Sequence, residues 1–448
     1  MLESFFKLKE HNTNVRTEVM AGVTTFMTMA YIIFVNPSIL SATGMPFGAV
    51  MVATALSAAF ATLLMSVLAN YPFALAPGMG LNAFFTYTVV LGMGLSWQAA
   101  LAAVFVSGVL FLLLTLTKAR EAIVNAIPMS LKLAVGAGIG LFIAFIGFKN
   151  AGIIVSDPAT FLKIVNPHLF QDPNYAEYFK ANFITPQSVL LSIIGLLVTG
   201  FLVVRRTKGA LLYGILLTTI IGIPMGVTNI SNFQIVSMPP SIGEIFFKMN
   251  FNELASVGWL TVIFTFAFVD LFDTIGTLVG VASKADMLDE KGHLPRANKA
   301  LLADSVGTIF GSVMGTSTVT TYVESASGVA EGGRTGLTSL TTAILFFLSI
   351  FFSPLVAIIP GAATAPILII VGIFMMESVM KINFSDMLEA IPAFLTIVIM
   401  PFSFSIAEGI VAGVLAYTFL HALTGRIKDV SLTMWILTGI FVLRFFIV

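Results

Sequence analysis

The chain has no cysteine, only four histidines and few charges: Asp, Glu, Lys and Arg make up 10% of 448 residues and cancel to a net charge of zero. Without cysteine there are neither disulfides nor thiolate metal sites. His11, His168, His293 and His421 are scattered through tails, loops and one span end, so no metal centre is expected. A zero net charge offers nothing to a nucleic acid. The start, MLESFFKLKEHNTNVRTEV, lacks the basic stretch, apolar stretch and small-residue cleavage site of a secretory signal. It reads as a retained cytoplasmic N-terminus. A membrane enzyme needs a nucleophile–base pair or metal ligands, and the scarcity of His and absence of Cys argue against one.

What fills the chain instead is apolar: 58% of the residues are hydrophobic, against the roughly 25% charged composition of soluble domains. Spans long enough to cross a bilayer fall at about 18–40, 48–69, 73–91, 97–117, 131–149, 187–204 and 209–227. A second set falls at about 258–281, 300–316, 317–333, 336–353, 360–378, 387–404 and 407–424. The reading is therefore an all-α polytopic membrane protein of fourteen spans. A further apolar stretch at 431–448, with Trp435 and Arg444, is consistent with a span or an interfacial helix. With the N-terminus inside, 17 of the 22 Lys and Arg residues fall on the cytoplasmic side and 5 elsewhere, which fits the positive-inside bias. Seven spans per half then reverse the second half relative to the first, giving a 7+7 inverted repeat. The long connections at about 150–186 and 228–257 are external, and the first reads as a loop.

Asp270 and Asp273 lie inside WLTVIFTFAFVDLFDTIGTLVGVA. A carboxylate at a helix centre costs about 2.5–3.5 kcal/mol on insertion-based scales, so acids there usually face protein or water and bind something. The bland alternative is a buried pair that fixes helix packing. Gly276 and Gly280 on the same span form a GxxxG packing pattern.

The third span of each half is abnormal. YPFALAPGMGLNAFFTYTVV places Pro72, Pro77, Gly78 and Gly80 ahead of its helical part, and GTSTVTTYVESASGVAEGGRTG is interrupted by Gly315, Gly328, Gly332 and Gly333. Glycine- or proline-interrupted spans at corresponding positions point to a midplane substrate site in transporters. Spans 3 and 10 are thus read as broken, with Asn82 after the first break, Asp270 in the eighth span and Glu324 inside the second break as candidate ligands. Asn82 reads equally as a cap of its half-helix. Asp304 and Glu408 lie near span ends, where solvated or capping roles are expected, and Glu331 is expected to pair with Arg334. Thr24, Thr25, Thr28 and Tyr31 polarise the first span, although mid-helix threonines often bond back to their own helix. Phe84, Phe266, Phe268 and Tyr322 are candidates to stack a flat solute.

Four blocks, GVTTFMTMAYIIFVNPSIL (22–40), ALAPGMGLNAFF (74–85), FVDLFDTIGTL (268–278) and TTYVESASGVAEGGRTGLT (320–338), lie in order and at suitable spacing. Through them the chain resembles, over essentially its whole length, the AzgA-like purine permeases of the nucleobase–ascorbate transporter group. The resemblance implies a core domain of spans 1–4 and 8–11 and a gate domain of spans 5–7 and 12–14, with short extended stretches in the broken spans. In residue terms this gives a cytoplasmic N-terminus at 1–17, core at 18–126 and 258–356, gate at 127–228 and 357–426, an external connector at 229–257 and a C-terminal apolar segment at 427–448. It also implies substrate binding by Asn82, Asp270 and Glu324, backbone contacts from Gly80 and Leu81, and a transport-critical Asp273.

The expected function is proton-coupled uptake of purine nucleobases across the cytoplasmic membrane, guanine or hypoxanthine favoured over adenine. Glu324, Asp270 and Asp273 are the candidates to carry the proton. No cofactor is expected; sodium stays open as the coupling ion, and a homodimer through the gate domain is the expected assembly. Alternatives are a carrier of the same fold for xanthine, uracil or an anion, or a passive nucleobase channel. Two carboxylates argue against an anion by direct repulsion.

Overall fold

The computed structural model describes residues 2–447 apart from 118–126, 158, 232–233, 255–258, 286 and 289–293, and not the side chains of 259–261, 272–273, 275–276, 279, 283–284 and 444–447. Lys118, Arg120 and Lys291, and the side chains of Lys284, Asp273 and Arg444, therefore lie outside what is described.

In chain order the main elements are α1 (Val15–Met29), α2 (Ile32–Leu40), α3 (Phe47–Leu64), β1 (Leu75–Pro77), α4 (Met79–Ala83), α5 (Trp97–Thr117) and α6 (Met129–Asn150). There follow β2 (Ile154–Asp157), β3 (Phe161–Ile164), α7 (Pro173–Ala181), α8 (Pro186–Val204), α9 (Ala210–Gly222) and α10 (Trp259–Lys284). The remainder are α11 (Ala297–Met314), β4 (Val319–Thr321), α12 (Ser325–Ala330), α13 (Gly336–Ser349), α14 (Gly361–Met376), α15 (Met387–Phe402), α16 (Ile406–Leu423) and α17 (Leu432–Ile447). Met65–Ala69 and Phe84–Gly92 continue α3 and α4 as π-helical turns. Among the described residues eight helices are long and apolar enough to cross a membrane, and shorter apolar helices accompany them. This is a helical, multi-pass membrane protein.

Helix starts carry their own partners. Asn14 accepts from Thr17 N–H at α1, Thr185 and Ser188 form a capping box at α8, and Ser405 accepts from Glu408 N–H at α16. The start of α13 is held by Glu18, a fully buried acid on α1. Its carboxylate accepts from Arg334 N (2.9 Å), Thr335 N (3.2 Å), Thr338 N (3.2 Å) and Thr338 Oγ1 (2.6 Å). A carboxylate at a helix N-terminus meets both the free N–H groups and the positive end of the dipole, which offsets the cost of burying it.

Two groups of helices result from the packing. In one, α1, α2, α3, α5, α10, α11, α12 and α13 pack around the β1–β4 strand pair; in the other, α6, α8, α9, α14, α15 and α16 pack on each other. Within the second group α6 and α14 cross where Gly140 and Gly372 face each other, and a Cβ on either would lie 2.7 or 2.5 Å from the other's carbonyl oxygen. At Gly280, by contrast, no atom of the described residues beyond its own stretch of α10 lies within 4 Å of its Cβ position, and Gly276, the other glycine of the GxxxG pattern, lies outside the described side chains.

The segment expected to be a loop at 150–186 is a small folded unit. β2 and β3 pair antiparallel, and Val155, Leu169, Tyr175, Phe179, Ile184 and Val189 form a separate core. Asp157 receives the Tyr175 hydroxyl and the N–H groups of Ala159 and Thr160. These bonds hold its carboxyl far below the usual range and push the Tyr175 phenol up to about 12. The 431–448 stretch forms α17, which lies along α16: Thr438 donates to Thr418 (2.9 Å), and Phe441 meets Phe264 of α10.

Candidate functional site

Two strands of three residues cross in the middle of the first helical group. β1 and β4 pair antiparallel with Leu75 opposite Thr321, Ala76 opposite Thr320 and Pro77 opposite Val319. Gly78 N–H to Thr318 O (2.9 Å) and Tyr322 N–H to Ala74 O (3.0 Å) extend the ladder at both ends. A two-stranded ribbon this short leaves outward backbone groups unpaired, and burial makes that costly. Each strand is served by a threonine of the preceding helix. Thr62 on α3 donates to Leu75 O (3.0 Å) and accepts from Leu75 N–H (2.9 Å). Thr308 on α11 donates to Val319 O (2.9 Å) and accepts from Val319 N–H (3.3 Å).

The three candidate ligands are set around this pair. Glu324 sits in the turn between β4 and α12, where its Oε1 accepts from the Tyr31 hydroxyl (2.7 Å). Tyr31 lies in the turn between α1 and α2, where bonds from Ile33 N–H to Ala30 O and Phe34 N–H to Tyr31 O tighten the chain. Asp270, buried on α10, connects to β4 through Thr274 one turn on. Thr274 Oγ1 lies 3.4 Å from Asp270 Oδ1, 2.9 Å from Asp304 Oδ1 and 2.8 Å from Thr320 Oγ1. One hydroxyl hydrogen thus stands between two carboxylates. Asn82 is fully buried on α4 and its Oδ1 accepts from the Ser317 hydroxyl, just ahead of β4.

The other candidates are placed differently. Tyr322 donates its hydroxyl to Pro77 O (2.5 Å) and so braces the strand pair. Phe268 lies two positions before Asp270, about 200° around the helix. Together with Leu131, Val135, Thr396, Ile410 and Val414 it lines a void of about 10 Å³ at the seam between the two helical groups. Thr28 bonds back to Thr25 O (2.9 Å), with Glu324 O at 3.5 Å. Leu81 is fully buried, and at Gly80 a Cβ would come within 2.5 Å of Ile139 on α6, so its bareness serves helix approach. The side chain of Asp273 is outside the described residues.

Sequence reasoning missed Tyr31 as the partner of Glu324, Ser317 as that of Asn82, and Thr274 with Asp304 beside Asp270. Asp304 is completely buried, not solvated. The available signal was Thr274, one helical turn from Asp270 on the same face. Glu331 also departs from expectation: it pairs with Lys208 in the α8–α9 turn, while Arg334 Nη1 donates to Val329 O and Gly333 O.

A cavity of about 270 Å³ opens between the two helical groups, lined by Phe84, Tyr87, Thr88 and Val262 on one side and Phe404 and Glu408 on the other. Phe84 is two residues from Asn82, and its ring meets Phe266 edge-on at 4.8 Å. Among the described residues no group of His, Cys, Asp and Glu could hold a metal ion.

Residues 16–412 match the model of the Permease family, Xan_ur_permease. The chain is 52% identical to a putative permease of Methanocaldococcus jannaschii, over 99% of this chain and 98% of that one. It is 46% identical to the adenine permease AdeP of Escherichia coli K12 (99% and 96% covered) and 45% identical to the guanine/hypoxanthine permease PbuG of Bacillus subtilis (99% and 99%). Among solved structures, the transmembrane domain of the cyanobacterial bicarbonate transporter BicA superposes with a TM-score of 0.65 at 17% identity, covering 90% of this chain and 97% of that one. That likeness is one of fold.

Proposed function

The chain belongs to this Permease family of nucleobase–ascorbate transporters and is a permease, not an enzyme; from that premise we propose that it imports purine nucleobases by proton-coupled alternating access. The observation that carries the proposal is the meeting of a carboxylate (Glu324), a second carboxylate (Asp270) and an amide (Asn82) around one buried strand pair. A purine is flat and neutral, with N–H donors for carboxylates and ring-nitrogen or carbonyl acceptors for an amide. Phe84 and Phe266 supply apolar surface beside it.

The fourteen elements are read as two inverted sets of seven, with the strand-bearing group as core, the second group as gate and α17 as an addition. The matched threonine clamps support this, as do two turns of the gate. Arg206 after α8 and Phe404 after α15 both have φ of 53°. Each donates to the carbonyl three residues back, and the residue after each donates five back. Charge bias supports an inside location for the N-terminus and the α8–α9 turn, and on that reading the 270 Å³ cavity is an external vestibule.

In the mechanism, a base enters from the vestibule past Phe84 and exchanges water for Asn82 and the carboxylates. A proton taken up with it neutralises one acid, and the loaded core then moves against the gate to the other side. Since the base is neutral, each proton carries one charge inward, and the membrane potential adds about 2.3 kcal/mol per 100 mV. The test is uptake of radiolabelled adenine, guanine, hypoxanthine, xanthine and uracil in cells lacking their own permeases. Concentrative purine uptake that a protonophore abolishes is the expected result. Purine flux that never exceeds equilibrium would make the protein a channel, and uptake tracking sodium alone would move the coupling to that ion.

A further inference from the structure

The hydrogen bond between Ser317 and Asn82 decides more than where the amide sits. Both residues are fully buried. Ser317 has one hydroxyl hydrogen, and the contact that receives it is Asn82 Oδ1. Asn82 Nδ2 is buried with no hydrogen-bond partner among the described residues, so the amide's two donors are the part left for something else. With the amide turned over, Nδ2 would donate to Ser317 Oγ, and both Oδ1 and the hydroxyl hydrogen would then be left unmet. The observed orientation leaves two groups unmet, the two N–H bonds of Nδ2, and the reverse leaves three, the second N–H, Oδ1 and the hydroxyl hydrogen; each unmatched buried group is costly. Ser317 is itself held in place: the adjacent Thr316 donates its N–H to Gly311 O (2.9 Å), and its hydroxyl oxygen accepts from Asn36 Nδ2 (2.9 Å) on α2. Asn36 also donates to Thr54 (2.7 Å) on α3. The lead-in to β4, from the second half of the chain, therefore reaches across to fix an amide that belongs to the first half.

We propose that Ser317 is a positioning residue that locks Asn82 as a hydrogen-bond donor, so that the site selects bases presenting an acceptor, a ring nitrogen or a carbonyl oxygen, at that point. This rests on the purine reading of the site and adds to it the polarity of one contact. Asn82 reads the acceptor edge, while the carboxylates of Asp270 and Glu324 read the N–H edges. Ser317 does not touch the base.

The experiment is competition for binding to the purified protein by the parent purine and by deaza analogues, each of which replaces one ring nitrogen with C–H. In the wild type one analogue, the one lacking the acceptor at Asn82, should bind about 10-fold or more weaker than its parent. Ser317→Ala should weaken the parent by a similar factor and leave that one analogue nearly unchanged, because the contact is already missing. Ser317→Thr keeps the hydroxyl and should restore the parent, and a melting temperature for each variant checks that the fold is intact. Asn82→Asp, which offers no amide donor, should behave like Ser317→Ala toward the panel. Equal weakening of every analogue by Ser317→Ala would reduce Ser317 to a structural residue, and an unchanged parent affinity would remove it from the site. Failure of every purine to bind the wild type would instead overturn the substrate reading, and this proposal with it.

Discussion

The two strand segments are built alike and written differently. LAPGMGLN is largely apolar, with proline and glycine, whereas VTTYVES is rich in hydroxyls and carries an acid, Glu324. Both nevertheless form a three-residue strand, both run on into a short helix, and both have the first strand residue held at N–H and C=O by one threonine of the preceding helix. The backbone shape is thus set by Thr62, Thr308 and the pairing itself, which leaves the side chains free to diverge. The first segment contributes an amide, Asn82; the second contributes a carboxylate, Glu324. Similar geometry with unlike chemistry suits a ligand whose edges are unlike.

The comparison breaks most sharply at the acids. Asp270→Asn should reduce purine binding more than 100-fold, since Asp270 is buried beside Thr274 and the change removes the charge that would accept from the base. Glu324→Gln keeps size and an acceptor and should weaken binding about 10- to 100-fold, the cost of about 1.5–3 kcal/mol for a hydrogen bond to a charged group. Equilibrium binding to purified variants measures both. If Glu324 also carries the proton, exchange of internal for external base should survive in Glu324→Gln better than net uptake. A normal affinity and a normal pH profile in that variant would leave the second segment without a ligand.

Next in size are the clamps. Thr62→Val and Thr308→Val each strip the first strand residue of its side-chain partner, and each should cost about 1–3 kcal/mol of stability. Matched drops in melting temperature are expected. A large loss at one and none at the other would mean that the two strands are not supported alike.

Tyr31→Phe removes the hydroxyl from Glu324 without disturbing a strand. Glu324 is partly exposed, so water can replace the lost donor, and the expected weakening is about 10-fold or less. The change should also move the pH profile of uptake, which an effect on packing alone would leave in place.

Much of this organisation was legible in the sequence because glycine, proline and charge have positional meaning in a membrane. The Gly/Pro interruption at 72–80 and the Ser/Thr stretch at 316–321 marked where the chain is extended, Asp270 stood out as an acid in an apolar span, and Glu324 as an acid inside the second interrupted span. What was not legible were contacts between distant parts. Tyr31 and Glu324 are 293 residues apart and Ser317 and Asn82 are 235 apart, and nothing in either local stretch names the partner. The placement of two aromatic rings was not legible for a related reason. Helix phase places Phe268 at the seam between the two helical groups, and a single carbonyl, Pro77 O, takes up the hydroxyl of Tyr322.

The smallest effect is expected where the two short helices end, and there the comparison sharpens. The π-helical continuation of α4 reaches the α15–α16 turn, where Thr88 Oγ1 donates to Phe404 O (3.1 Å). The end of α12 reaches the α8–α9 turn, where Glu331 pairs with Lys208. In the proposed orientation the first contact is external and beside the open cavity; the second is cytoplasmic, next to Gly209, whose Cβ position lies 3.3 Å from Met27. The Lys208 side chain is 60% exposed and that of Glu331 27%, so the pair is worth about 0–1 kcal/mol. It can bias the closed cytoplasmic side but cannot hold it. Lys208→Ala should therefore raise inside-directed labelling of a cysteine placed at Met27 by at most about five-fold, the population change that 1 kcal/mol allows. The wild type should approach the variant at about 1 M salt, where the screening length falls to ~3 Å. Thr88→Val should leave that labelling unchanged at either salt concentration. A far larger increase in Lys208→Ala, or one indifferent to salt, would mean that the turn closes the cytoplasmic side by packing against Met27 and that the charge pair is incidental.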